Sequence, residues 1–168
     1  MKRIISTFLL FFPILFASAQ SEFSSPVFSV GVVVEDLEKS IKFYTEVIGM
    51  TQTGAFSVPK EKCAELGLTD KYQLDVTILK LEDSPQSGEW KLMSLGTNAN
   101  HPKQKFMSDD TGMQYITVFA NHVLPVMERA KKHKVKILSA EPSTLDNDQK
   151  FILIQDPDGV FIEIIGPE

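Results

Sequence analysis

The chain writes nearly the same pattern twice, and that duplication constrains its fold more than any other feature. The first copy opens with a β-branched run at residues 28–34, then Glu35 and Asp36, then a helix-like stretch to Gly49. The second opens at residues 113–120, then Asn121 and a helix-like stretch to His133. Each copy runs on through strand-like segments to a turn and a last strand. In the second copy that turn is Asp156-Pro157-Asp158-Gly159, and Glu163 stands on the strand behind it. In the first it spans residues 83–88 and leads into residues 89–96. Two strand–helix–three-strand units specify an α+β fold of paired βαβββ modules in one curved sheet, and a curved sheet encloses a pocket.

Local signals support the pattern. Leu37, Ile41, Tyr44 and Ile48 are spaced i, i+4, i+7 and i+11, which places one apolar stripe on a helix face. Glu35 or Asp36 caps that helix, and Gly49 takes the left-handed position that ends it. Residues 50–58, 74–82 and 89–95 read as strands, with a short extra helix over 59–68. Residues 97–112 are polar and without periodicity, and so form a linker between modules of residues 28–96 and 113–167. Pro125 fits a helix only in its first turn, so that helix starts near Val123 or Leu124. Residues 135–139, 150–155 and 160–165 complete the strands, with a type I turn at Asp156–Gly159.

The first 19 residues are of another kind. Lys2 and Arg3 precede an apolar run from Ile4 to Phe16, and Ala17-Ser18-Ala19 fits a small-residue cleavage site. This is the form of a secretory signal peptide cleaved before Gln20, with residues 20–27 as a lead-in to the domain. The run is shorter than the roughly 20 residues a bilayer requires, and Pro13 interrupts it. The alternative is an uncleaved N-terminal anchor. Export to the periplasm or the medium is expected, with no stable membrane anchor after cleavage. Loss of Lys2 and Arg3 leaves 15 basic residues against 22 acidic, a charge of −7, with Arg129 the one arginine. Such a surface excludes nucleic acid as a partner. Cys63 is the single cysteine, so no intrachain disulfide braces the fold, and it reads as a small buried hydrophobe.

The stretch Val34-Glu35-Asp36-Leu37 through Tyr44 to Gly49, together with Asp156-Pro157-Asp158-Gly159 through Glu163, resembles the vicinal oxygen chelate superfamily. That superfamily includes glyoxalase I, bleomycin-resistance proteins and extradiol dioxygenases. The resemblance covers about residues 28–167 and implies one curved-sheet domain. Enzymes of this kind hold a divalent metal with His, Glu or Gln, taken from the first and last strands of each module. The corresponding positions here are Ser29, Met93, Tyr115 and Glu163, and only Glu163 matches a family ligand. A register slip of one would give Phe28 or Val30, Leu92 or Ser94, and Gln114 or Ile116. His101, His122 and His133 fall away from these strands. Serine, methionine and tyrosine do not make a site for such ions, so no divalent metal or other cofactor is expected.

Strand alternation sets the faces. If Glu163 faces the pocket, so do Phe161 and Ile165. The matching positions elsewhere are Ser29, Gly31 and Val33; Lys91, Met93 and Leu95; and Tyr115, Thr117 and Phe119. The expected ligand-binding set is Ser29, Met93, Tyr115, Thr117, Phe119, Phe161 and Glu163. It suits a small molecule with an apolar body and a few polar anchors. The leading expectation is an exported binding protein of the bleomycin-resistance sort, working without a metal. A second is a metal-free lyase or isomerase with Glu163 as general base and Tyr115 as acid or oxyanion donor. A third is a metal-dependent glyoxalase- or dioxygenase-type enzyme with altered ligands, and a fourth an interaction module whose cavity its own side chains fill. The resemblance further implies a homodimer with pockets between chains.

Overall fold

The computed structural model describes residues 22–96, 102–139, 142–145 and 148–168. The expected signal peptide and the first part of the linker lie outside the described residues. The first module contains β1 (Ser29–Val33), α1 (Leu37–Phe43) with a π-helical last turn (Tyr44–Ile48), β2 (Thr51–Val58), α2 (Lys60–Glu65), β3 (Leu74–Lys80) and β4 (Glu89–Ser94). The second contains β5 (Tyr115–Phe119), α3 (Leu124–Lys132), β6 (Ser143–Thr144), β7 (Lys150–Gln155) and β8 (Phe161–Gly166). The strands form two four-stranded sheets, ordered β1-β4-β3-β2 and β5-β8-β7-β6. In each, the first strand of the module lies at the edge, parallel to the last. The α+β architecture of two βαβββ modules is therefore realised.

Each helix ends as its sequence dictates. Asp36 caps α1 by accepting from the Lys39 N–H at 3.0 Å. Gly49 closes it at φ +96°, where a side chain is strained. Pro125 sits in the first turn of α3, where its missing N–H costs nothing. Two segments differ from expectation. Residues 135–139 do not form a strand. Leu138 N–H donates to the Leu153 carbonyl at 2.7 Å, but the Leu153 N–H turns to the Ser139 hydroxyl, so no ladder propagates. The fourth strand of that sheet is instead the two-residue β6. Within the linker, residues 107–109 form a single 3-10 turn, tied by Asp109, whose carboxylate accepts from the Lys105 and Phe106 N–H groups.

One face of both sheets packs into a single core with α1 and α3. Trp90 and Leu92 of β4, Ile152 and Ile154 of β7, and Ile162 and Ile164 of β8 are buried there with Tyr44, Val126 and Ala130. The two modules are joined across this core by polar contacts. The Tyr44 hydroxyl donates to Asp156 at 2.8 Å, in a buried bond across 112 residues of sequence. Asp156 also accepts from the backbone N–H groups of Asp158 and Val160 at 2.9 and 2.8 Å, which fixes the β7–β8 turn. Asp158 reaches back to accept from the Glu35 N–H and the Ser40 hydroxyl. Arg129 of α3 donates to the carbonyls of Val47 and Ile48 at 2.8 and 3.0 Å, satisfying the last turn of the first module's helix. The turn that the sequence marks as a chain reversal thus also clasps the other module.

Burial pushes the Asp156 carboxyl above its ordinary value, against the pull of its hydrogen bonds. Burial, then the charge of Asp156, pushes the Tyr44 phenol well above its own. A raised acid in the folded state holds a proton the unfolded chain has released. Its contribution is therefore complete below the ordinary Asp value and is lost as pH rises through the folded one. Tyr44→Phe is expected to lose about 1.5–3 kcal/mol in urea unfolding, the range for a hydrogen bond to a charged group. Asp156→Asn keeps an acceptor for both backbone donors and removes the charge. It should lose less, and the decline in stability above the ordinary Asp range should be absent. An unchanged pH slope in Asp156→Asn would show that this carboxyl does not set it.

Candidate functional site

The opposite face of each sheet carries the residues singled out by strand alternation. On the second sheet Tyr115 lies opposite Phe161, Thr117 opposite Glu163, and Phe119 opposite Ile165. The Thr117 hydroxyl donates to Glu163 Oε2 at 2.7 Å. Tyr115 is thus not the partner of Glu163: the parallel register sets it one pair back, level with Phe161, which is buried. Among the described residues the second carboxylate oxygen of Glu163 has no partner. Tyr115 and Phe119 are 47% and 78% exposed, so two aromatic rings beside this carboxylate lie open.

The first sheet presents a different group. Ser29 lies opposite Glu89, Gly31 opposite Lys91 and Val33 opposite Met93. The Ser29 hydroxyl donates to Glu89 Oε2 at 2.9 Å. Lys91 pairs with that carboxylate at 3.0 Å and Lys80 at 3.9 Å. The Lys91 hydrogen bond, then that of Ser29, holds Glu89 below the usual carboxylate range. Sequence reasoning placed Lys91 and Met93 on this face but missed Glu89. The same two-residue alternation, carried one step back along β4, would have found it.

Met93 belongs to packing. It joins Cys63, Leu74, Val76, Ile78 and Leu95 in a second apolar cluster. Val76 stands opposite Met93 in the ladder, so α2, which carries Cys63, lies over this face and covers one end of it. Cys63 is fully buried, as a small hydrophobe would be. A Cβ on Gly31 would stand 3.0 Å from the Met93 methyl, so the glycine leaves the room that Met93 fills.

The two sheets allow a direct comparison of the ligand positions. Glu163 lies two residues beyond the partner of Tyr115, and the residue two beyond the partner of Ser29 is Lys91. An ammonium in the first sheet therefore mirrors the carboxylate in the second, with Met93 one pair further along. These residues do not fit a divalent metal. Ser29 is engaged with Glu89, Met93 offers a soft thioether inside an apolar cluster, and Lys91 is a cation. Among the described residues no group of three or more His, Cys, Asp or Glu converges. His122 faces the Glu168 carbonyl and His133 faces Glu46, while His101 lies outside the described residues. Gln114, the alternative ligand under a register slip, precedes β5 on the face opposite Tyr115, and its buried carboxamide oxygen has no hydrogen-bond partner among the described residues.

The predicted residues thus fall into two groups: Thr117, Glu163, Tyr115, Phe119 and Phe161 on one sheet, and Ser29 with Glu89 and Lys91, beside Met93, on the other; a cleft of about 370 Å³ within the chain is lined by Glu89 of one group and Thr117 of the other. No hydrogen bond or ion pair among the described residues joins the two groups. No ladder links β1 to β5, and both are edge strands.

The chain is 25% identical over 135 residues to the uncharacterized protein YwbC of Bacillus subtilis (strain 168), covering 79% of this chain and 90% of that one. Its fold is similar to that of a glyoxalase family protein from Bacillus cereus, with a TM-score of 0.73 at 19% identity over 89% of this chain and 98% of the other. It is also similar to the trypanothione-dependent glyoxalase I of Leishmania major, with a TM-score of 0.60 at 24% identity over 85% and 87% of the two chains. The family model described as the Glyoxalase/Bleomycin resistance protein/Dioxygenase superfamily matches residues 27–164. With two βαβββ modules in this order and that match over most of its length, the chain belongs to the glyoxalase/bleomycin resistance protein/dioxygenase superfamily.

Proposed function

We propose that the protein is an exported binding protein of this superfamily that takes a small molecule without a metal. Its site forms where the open face of one chain's first sheet meets the open face of a second chain's second sheet. The observation that carries this reading is the exposure of Tyr115 and Phe119 beside Glu163, on a sheet whose edge strand β5 pairs with β8 on one side and with no strand of the described residues on the other. Val33, on the other free edge strand, is also exposed. Open edges with large apolar side chains are covered in stable proteins, and pairing in a homodimer covers both at once. The assembled cavity has aromatic walls, a carboxylate anchored by Thr117, and the Ser29–Glu89–Lys91 group across from it. That set recognises an apolar body bearing a donor or cation at one end and an acceptor at the other. A second reading rests on the unpartnered oxygen of Glu163. It is free to take a proton, as the general base of a metal-free lyase or isomerase requires, with Tyr115 as donor.

The mature protein should begin at Gln20 when recovered from the host envelope or medium and sequenced from its N-terminus. Intact Met1 in the membrane fraction would establish an anchor instead.

Native mass spectrometry of gently purified protein should show a homodimer with zinc, nickel and manganese below one ion per chain. A chelator should leave the thermal midpoint unchanged, since no metal binding energy is linked to folding. One tightly held ion per chain, lost in Glu163→Gln, would overturn the metal-free reading.

Glu163→Gln keeps an acceptor for Thr117 and removes the charge. For a small-molecule ligand found by native mass spectrometry it should weaken binding by about 1.5–3 kcal/mol, as expected for a charge-assisted contact. Folding should be little affected, because a neutral amide is easier to bury than a carboxylate. Wild-type affinity in that variant would place the site elsewhere. Turnover of small aldehydes, abolished in Glu163→Gln, would favour the lyase or isomerase reading over pure binding.

A further inference from the structure

A second cleft lies on the helix side, away from the open faces. It occupies about 430 Å³ where α1 meets the segment following α3 and the β7–β8 turn. Lys39 and Lys42 enter it from α1, and Lys134 and Lys136 from the segment after α3. Phe43, Val47 and Val135 give it an apolar lining. The whole chain is acidic, at −5, so four ammonium groups around one small cleft run against the prevailing charge. None of the four side chains has an ion pair or hydrogen bond among the described residues.

The carboxylates nearby are already committed. Glu46 faces His133 at 3.4 Å. Asp156 is buried, with Tyr44 and two backbone N–H groups on its oxygens. Asp158 accepts from Glu35 and Ser40. Pairing with helix C-termini accounts for Lys42, in the last turn of α1, but not for Lys39 or Lys136. Lys134 is the sharper case. It stands at φ +57°, one of two non-glycine residues in the left-handed region among the described residues, just past α3. There its N–H bonds the Lys131 carbonyl, and the Val135 N–H bonds the Ala130 carbonyl. Glycine is the unstrained residue at such a helix stop. A lysine accepts backbone strain and delivers an ammonium to the cleft, and strain of this kind gathers at functional positions.

We propose that this inter-module cleft is a second binding site, for a small amphipathic anion: a carboxylate or phosphate monoester on an apolar body. Lys39, Lys42, Lys134 and Lys136 neutralise the anionic group, and Phe43, Val47 and Val135 take the apolar part. Both modules contribute walls, so a bound anion also fastens them together and raises the thermal midpoint.

The probe is phenyl phosphate, titrated into the intact mature protein and followed by backbone amide shifts, calorimetry and thermal unfolding. The expected result is one saturable site, with shifts confined to residues 39–47 and 133–157, and affinity that falls as salt is raised. Glu163→Gln should leave this binding unchanged. Lys39→Gln combined with Lys134→Gln should lower affinity by about tenfold or more, on the scale of lost charge contacts at a binding site. Lys134→Gly separates a structural role from a binding one. It should raise the thermal midpoint of the free protein by relieving the strained backbone, yet weaken phenyl phosphate binding. Inorganic phosphate should bind more weakly than phenyl phosphate, because it leaves the apolar lining unused. No saturable shift at millimolar phenyl phosphate would overturn the proposal. So would full affinity in the double variant, or equal binding of inorganic phosphate. A response to phosphatidylglycerol vesicles without one to phenyl phosphate would overturn it as well, by showing a membrane-facing patch.

Discussion

The buried hydrogen bond from Tyr44 to Asp156 is the contact on which the relation between the modules depends. It joins the last turn of one module's helix to the terminal turn of the other. Around it Asp158 ties the turn to the start of α1, and Arg129 satisfies the end of that helix. Breaking it would take from the buried phenol its carboxylate acceptor and leave Asp156 held by the Asp158 and Val160 N–H groups alone. Buried polar groups are costly alone and directional together, so such a cluster sets one docking geometry where apolar packing alone tolerates several. Gly49 contributes in the same place. It permits the left-handed turn, and a Cβ there would stand 3.3 Å from the Arg129 guanidinium.

With the helix faces joined, the opposite faces of the sheets are left outward, and each carries one group of the candidate residues. The groups differ in charge logic. The second sheet offers a carboxylate held by one hydroxyl amid exposed aromatic rings. The first offers a carboxylate already neutralised by lysines, with a methionine drawn beneath α2. A lysine mirrors Glu163 across the two modules. Opposed ammonium and carboxylate groups would serve a polarised ligand in the way that a metal and its ligands serve one in an enzyme, by fixing charge where the ligand's own charge sits. This is the physical content of reading the protein as a metal-free binder.

The fold was legible because its signals are local and repeated. The stripe of Leu37, Ile41, Tyr44 and Ile48, the Asp36 cap, Gly49 and the Asp156–Gly159 turn each report backbone geometry within a few residues. The segment 135–139 misled for the same reason. It has strand-like residues, but the Ser139 hydroxyl takes the Leu153 N–H that a ladder would need. That competition depends on where β7 lies, and composition does not encode it.

The site was legible only to the level of faces. Alternation along β4, β5 and β8 is a property of any strand, so the sequence by itself determined that Lys91 and Met93 share a face in the first module, and Tyr115, Thr117 and Glu163 a face in the second. It also determined that three of the four residues at the family's ligand positions, Ser29, Met93 and Tyr115, are poor donors for a divalent metal. Pairing was decided by the tertiary structure. The register of β5 against β8 gave Glu163 to Thr117 rather than to Tyr115, and that of β1 against β4 gave Ser29 to Glu89. The burial of Met93 beneath α2 and the gathering of four lysines from α1 and the segment after α3 were decided there too. Contacts between residues distant in the chain arise from how the elements dock. A one-dimensional pattern fixes which way a side chain points but not what it meets.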